Sequence, residues 1–302
     1  MKFGNPIIAI TLMFALTQLL GFVAGILLMH SAATDPDVRM VSISPVKDSN
    51  DLMNAVLLIL YVIFGAGIML FIIKYFRTRI FIKLMELAVV GGAVSVFAFS
   101  FIHTFSSFSF LVSMFISILI GGCFAIIKFF QPSLKNIAAI LSSAGVAALF
   151  GFSVGFWPAL LFIIALSIYD YIAVFKTKHM LVLAKGLGTS DMSFTITAKE
   201  KKIKAEKPSI AAPGEIKERG EKDVSRLDLG SGDLAIPAML AVSTFPVAGI
   251  IGSLAVIAGS IISIYLTLGF VIRRQVVLPA LPPICLGSLI ALLLSQLIQS
   301  LL

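Results

Sequence analysis

The sequence predicts an all-α, polytopic membrane protein with nine transmembrane helices, the N-terminus cytoplasmic and the C-terminus extracytoplasmic. Three observations carry that expectation. Of 302 residues, 59% are hydrophobic and only 13% charged, with a mean hydropathy of +1.07, whereas a soluble domain is about 45–50% apolar and about 25% charged. The apolar residues fall in runs long enough to cross a bilayer, which takes roughly 20 residues of helix. The cations lie between those runs and mostly on one side. A water-soluble fold, a disordered chain and a nucleic-acid-binding domain are all disfavoured, despite the net charge of +8. Cys123 and Cys285 both lie inside apolar runs, so neither a disulfide framework nor a metal site is implied.

Taken in order, the runs cover 6–29, 52–73, 80–102, 108–130, 136–151, 157–175, 231–246, 249–271 and 279–301. The stretch 136–175 is almost unbroken and would extend about 60 Å as one helix, twice the hydrocarbon thickness; Gly151, Gly155 and Pro158 offer a turn. The stretch 233–271 poses the same problem, and Phe245-Pro246-Val247-Ala248-Gly249 offers the break. The first run is longer than the 7–15 residues of a signal-peptide core and only Lys2 precedes it, so a retained helix is expected despite the weak cleavage-like Ser31-Ala32-Ala33.

Sorting the 23 Lys and Arg by side gives 21 against two, Arg39 and Lys47. Leaving out the twelve in the long 176–229 segment still gives nine against two. The positive side is cytoplasmic. The 176–229 segment, rich in Lys and Glu and containing Pro208, Pro213 and Gly214, reads as a flexible charged loop between a six-helix block (1–175) and a three-helix block (230–302). Its basic balance suits contact with anionic lipid headgroups.

Twelve of fifteen Asp and Glu fall in loops; Glu86, Asp170 and Asp233 do not. Glu86 stands one turn from Lys83, where a local ion pair is expected. Asp170 lies about 9 Å before Lys176 along the sixth helix, and Asp233 about 7–8 Å past Asp228 at the start of the seventh. The two helices run in opposite directions, so both carboxyls lie at similar depth. Each costs about 2.5–3.5 kcal/mol to insert. Two arrangements lower that cost: each carboxyl is protonated and hydrogen-bonded alone, or the two share a proton, since like charges about 3 Å apart cannot both ionise. Gly230 and Gly232 allow another backbone close to Asp233. Pro237 frees the Asp233 carbonyl from its usual helical bond. Leu278-Pro279-Ala280-Leu281-Pro282-Pro283 opens the ninth helix as extended chain through Pro282.

Tyr169-Asp170 in the sixth span, Gly230-Ser231-Gly232-Asp233 in the seventh and Pro279-Ala280-Leu281 at the ninth together resemble the presenilin and signal peptide peptidase family of intramembrane aspartyl proteases. The charge sidedness places the loop between spans six and seven inside, as in presenilins, and the short chain is most similar to a microbial, archaeal-type presenilin homologue. The resemblance implies that Asp170 and Asp233 are catalytic, that Tyr169, Gly230 and Gly232 belong to the active-site motif, and that Pro279, Ala280 and Leu281 position substrate. It implies no cofactor, transmembrane protein substrates, and a multi-pass place in the cell membrane; homo-oligomerisation is compatible with it.

Other signals fail. Gly151-Phe152-Ser153-Val154-Gly155 matches a nucleophile elbow, but no His follows His179 to complete a triad. Gly230-x-Gly232-x-x-Ala235 mimics a dinucleotide fingerprint without a βαβ unit to hold it. No His-Glu-x-x-His is present, and His30, His103 and His179 read as interfacial. Trp157 with Phe156 reads as an aromatic belt anchor. Two rival readings are a proton- or sodium-coupled secondary transporter, which predicts inverted repeats the sequence does not display, and a prepilin-type Gly-x-Gly-Asp peptidase, with fewer spans and no Pro-Ala-Leu.

Overall fold

The computed structural model describes residues 6–75, 79–172, 195–201, 224–274 and 279–301. Helices cover the predicted apolar runs: α1 (Pro6–Thr34), α2 (Met53–Tyr75), α3 (Arg79–Phe105), α4 (Phe110–Phe130), α5 (Lys135–Ser153), α6 (Phe156–Ile172), α7 (Ser231–Arg274) and α8 (Leu281–Leu301). Among the described residues six helices are long and apolar enough to cross a membrane, and Met53–Gly65 and Phe156–Ile172 are shorter apolar helices. Faces that a soluble protein would bury stay open, with Leu111 at 73% exposure and Leu293 at 67%. Hydrocarbon is the solvent that suits them.

The two long runs break where the residues require it. A 44-residue α7 would extend about 66 Å as a rod, but Gly249 takes φ 63° and ψ −166° and divides it into two arms. Only glycine reaches that region without steric cost. The α5–α6 turn is tighter than expected: α5 continues through Gly151 to Ser153, Val154 and Gly155 make the turn, and Pro158 sits in the first turn of α6, where its missing N–H is harmless. The Gly155 N–H donates to the Ser49 carbonyl at 2.8 Å. Ser153, the would-be nucleophile, is buried and its Oγ accepts from the Ile43 N–H at 3.0 Å.

The first arm of α7 lies against α1 and α5, while α8 packs on α7 and α6 bridges α2, α7 and α8. Small residues make the α7 seam close. A Cβ on Gly21 would meet the Cβ atoms of Ala147 and Ala238 at 3.2 and 3.3 Å; one on Gly151 would lie 2.8 Å from the Met239 carbonyl oxygen. Packing this tight substitutes for the hydrophobic drive that lipid does not supply between helices.

Two expectations are corrected. The 176–229 segment is not loop throughout, and the fold is not purely helical: β1 (Thr195–Lys201) pairs antiparallel with β2 (Val224–Gly230), in register from Thr195 opposite Gly230 to Lys201 opposite Val224. Ile196, Ala198 and Leu229 are buried among Ala9, Ile10 and Phe14 of α1 and Ile140 of α5, so the ladder seals one end of the bundle. Thr197 is held to α5 by Asn136, whose Nδ2 donates to the Thr197 carbonyl while its Oδ1 accepts the Thr197 N–H, both at 3.0 Å. The rest of 176–229, with His179, lies outside the described residues.

Glu86, for its part, pairs with Lys128 across α3 and α4, not with Lys83. Both members are 6% exposed. A buried carboxylate needs a desolvated cation, and Lys83 is exposed, its ammonium 5.4 Å from the Phe129 ring centre. At the opposite end from the ladder, His103 Nε2 lies 3.4 Å from Asp35 Oδ2, and its ring stacks on Phe99. Trp157 is exposed as an anchor would be, whereas Phe156 is buried.

Candidate active site

Asp233 owes its place to the junction of strand and helix. Gly230 is both the last residue of β2 and the cap of α7, so Asp233 is the third residue of the helix. A side chain there reaches back toward the capping residue's backbone, and the Asp233 carboxyl does lie over Gly230. That contact gives the Gly-x-Gly-Asp spacing a physical reason. A Cβ on Gly230 would stand 3.4 Å from Asp233 Oδ2, whereas one on Gly232 would meet nothing within 4 Å. Asp233 is partly buried.

Asp170 approaches from α6. It is 4% exposed, and its Oδ2 accepts the Leu281 N–H at 3.4 Å. Its carboxyl interacts through space with that of Asp233. Sequence distance of 63 residues is thus closed by helices meeting at one level. Tyr169, next to Asp170, points elsewhere: it is half exposed, since successive helical residues turn about 100°.

The proline segment meets the site through its backbone. Pro279 is buried and, with Ala280, non-helical, but α8 begins at Leu281, so Pro282 and Pro283 lie inside its first turn. The expectation of extended chain through Pro282 is therefore shortened by two residues or so. A proline in the first turn loses no helical bond, since those N–H groups have no partner anyway. Between α6, α7 and α8 lies a small cavity of about 10 Å³ lined by Ile163, Pro237, Leu240, Leu281 and Cys285 among others. It is apolar and adjoins Leu281, the residue that bonds Asp170.

Sequence reasoning passed over two contacts at this site. Gln18 of α1 is fully buried, and its Nε2 donates to the Leu234 carbonyl at 2.8 Å. Ser143 of α5 donates to the Ser231 carbonyl at 3.1 Å. The available signal was a lone amide in a long apolar run, which must find a partner in hydrocarbon. Among the described residues no cluster of His, Cys, Asp and Glu could hold a metal ion.

Asp170 on α6 and Asp233 on α7, acidic residues on apolar helices, are compatible with the class of intramembrane aspartyl proteases. The comparisons agree. A family model described as signal-peptide peptidase, presenilin aspartyl protease matches residues 8–301. A presenilin family intramembrane aspartate protease solved in a C222 crystal form superposes with a TM-score of 0.65 at 18% identity, covering 97% of this chain and 100% of that one. One solved in a P2 form gives a TM-score of 0.60 at 21% identity, covering 96% and 97%. A comparison with curated proteins finds no match. The chain belongs to the signal-peptide peptidase and presenilin aspartyl protease family, and is a multi-pass membrane aspartic endopeptidase. Nothing in the comparisons favours a transporter or a prepilin-type peptidase.

Proposed function

We propose that Asp170 and Asp233 are the catalytic pair, one carboxylate taking a proton from water while the other, a carboxylic acid, donates to the scissile carbonyl oxygen. The observation that supports this is that the two carboxyls interact through space, with the Leu281 N–H donating to Asp170 and the Asp233 carboxyl lying over Gly230. A substrate helix has its carbonyls tied in i→i−4 bonds and must unwind before water attacks. The non-helical backbone at Pro279 and Ala280, with Leu281 beside the Asp170 carboxyl, is suited to hold the unwound stretch. Tyr169, Gly230 and Gly232 complete the motif, Gly230 by leaving room for the Asp233 carboxyl.

The reading extends to topology. Nine spans follow if each arm of α7 crosses once and α2 and α6 cross as well. The block 1–175, the charged segment 176–229 and the block 230–302 then form the working divisions. With the positive side cytoplasmic, the dyad lies in the cytoplasmic third of the cell membrane, and basic residues of 176–229 face anionic lipid.

Purified protein incubated with a single-span substrate, followed by sequencing of the fragments, tests the chemistry. Asp170→Asn and Asp233→Asn should each abolish cleavage without unfolding the protein, because an amide can neither accept the water's proton nor share one. The wild type should give a bell-shaped pH profile, whose limbs belong to the pair and not to either residue. Substantial cleavage by either single variant, with contaminating protease excluded, sinks the mechanism.

A further inference from the structure

We infer that Gln18 and Ser143 are positioning residues for Asp233, fixing the first turn of α7 from two neighbouring helices. The inference rests on Asp233 being catalytic. Their target is where α7 is least able to hold itself. The first turn has no intrahelical partners for its N–H groups. Pro237 has no N–H to give the Asp233 carbonyl. Ser143 bonds the carbonyl two residues before Asp233 and Gln18 bonds the carbonyl one residue after it.

Gln18 is not explained by stability alone. Its Oε1 is buried without a hydrogen-bond partner, an arrangement that is destabilising relative to an apolar side chain of the same shape. What the amide alone supplies is the donor to Leu234. Its position is also in register with the tight seam. Gln18, Gly21 and Gly25 form one stripe of α1, facing Leu234, Ala238 and Val242 of α7; spacings of three and four keep each set on one face. The glycines set how near the two helices come, and the amide sets where Asp233 stands along and around the axis. A misplacement of about 1 Å in a reacting group can lower a rate about 100-fold.

The test compares kcat and KM for cleavage of one single-span substrate by wild type, Gln18→Met, Gln18→Glu, Ser143→Ala and, as a control, Ser117→Ala, which removes a buried α4 hydroxyl bonded only within its own helix. Folded fraction is measured by gel filtration and thermal unfolding, and rates are expressed per folded molecule. Gln18→Met should lower kcat about 10- to 100-fold with little change in KM, and shift the limbs of the pH profile. Gln18→Glu should recover kcat toward the acid end, where a neutral carboxylic acid can donate to Leu234. Ser143→Ala should lower kcat several-fold, and Ser117→Ala should leave it unchanged. If Gln18→Met does not fold, Ser143→Ala and Gln18→Glu decide. Wild-type kcat and pH profile in the folded variants, with or without a lower unfolding temperature, overturn the positioning role. Asp233→Asn in the same preparation separates the two ideas: if it still cleaves, the reading of Asp233 itself has failed.

Discussion

Gly151 stands where α5 meets the Asp233-bearing arm of α7, and replacing it with alanine tests how closely the two must approach. The added Cβ would lie 2.5 Å from Val242 Cβ and 2.8 Å from the Met239 carbonyl oxygen, against 3.4–4 Å for ordinary contact. Neither obstacle is the free end of a flexible side chain. The helices must part by about 1 Å, and overpacking of this kind costs about 1–3 kcal/mol. Two other glycines calibrate the effect. Gly21→Ala meets two methyl-sized Cβ atoms at 3.2 and 3.3 Å, a crowding that the helix-forming gain of about 0.5–1 kcal/mol offsets. Gly92 is exposed with nothing within 4 Å of a Cβ, so Gly92→Ala should gain that amount. Thermal unfolding of the purified protein in detergent should therefore rank Gly92→Ala above wild type, Gly21→Ala near it, and Gly151→Ala lower by roughly 2–12 °C at about 2–4 °C per kcal/mol. Gly151→Ala should also cleave more slowly. A Gly151→Ala protein as stable as Gly92→Ala would refute the packing argument.

Three further outcomes follow from features already described. Leu281→Pro removes the N–H that reaches Asp170 at a helix position that tolerates proline; cleavage should fall about 5- to 10-fold, for a bond of about 1 kcal/mol, with the unfolding temperature held, and an unaltered rate would leave the segment as a helix start only. Lys128→Met takes the cation from buried Glu86 and should destabilise by about 3–5 kcal/mol, whereas Glu86→Leu combined with Lys128→Met should return close to wild type; equal unfolding temperatures for single and double variants would contradict this. A cysteine replacing Ser209 should react with an impermeant reagent only in opened cells and one at the C-terminus from outside, the reverse pattern excluding a cytoplasmic 176–229 segment.

What the sequence made legible was what depends on solvent. Long apolar runs define helices because lipid leaves the backbone no other partner, and the break at Gly249 is readable from a proline three residues before a glycine. Asp170 and Asp233 stood out because carboxyls are costly among apolar residues. The strands were missed for the opposite reason: Lys and Glu in 199–201 dominate the composition and mask the alternation in Thr195-Ile196-Thr197-Ala198 and Leu227-Asp228-Leu229. That period-two signal was present, but its partner lay more than twenty residues away. Lys83 is Glu86's near neighbour along the helix, but burial puts Lys128 beside it. Gln18 was invisible because a single amide carries no pattern, only a demand for a partner that tertiary structure alone reveals.

The hold of Asn136 on Thr197 has a consequence for assembly. A two-stranded ladder has two outer edges, and an unoccupied edge is a template on which a second chain can add a strand. At Thr197 both backbone groups of β1 face away from β2 and are taken by the Asn136 amide, which imitates one residue of a neighbouring strand. The Thr197 hydroxyl is also engaged, receiving a bond from Lys135 at 3.1 Å and donating to Asp228. Lateral growth of the sheet across β1 is stopped at that point by a helix that the bundle already holds in place. Any strand that joins this ladder next to Thr197 must first displace the amide.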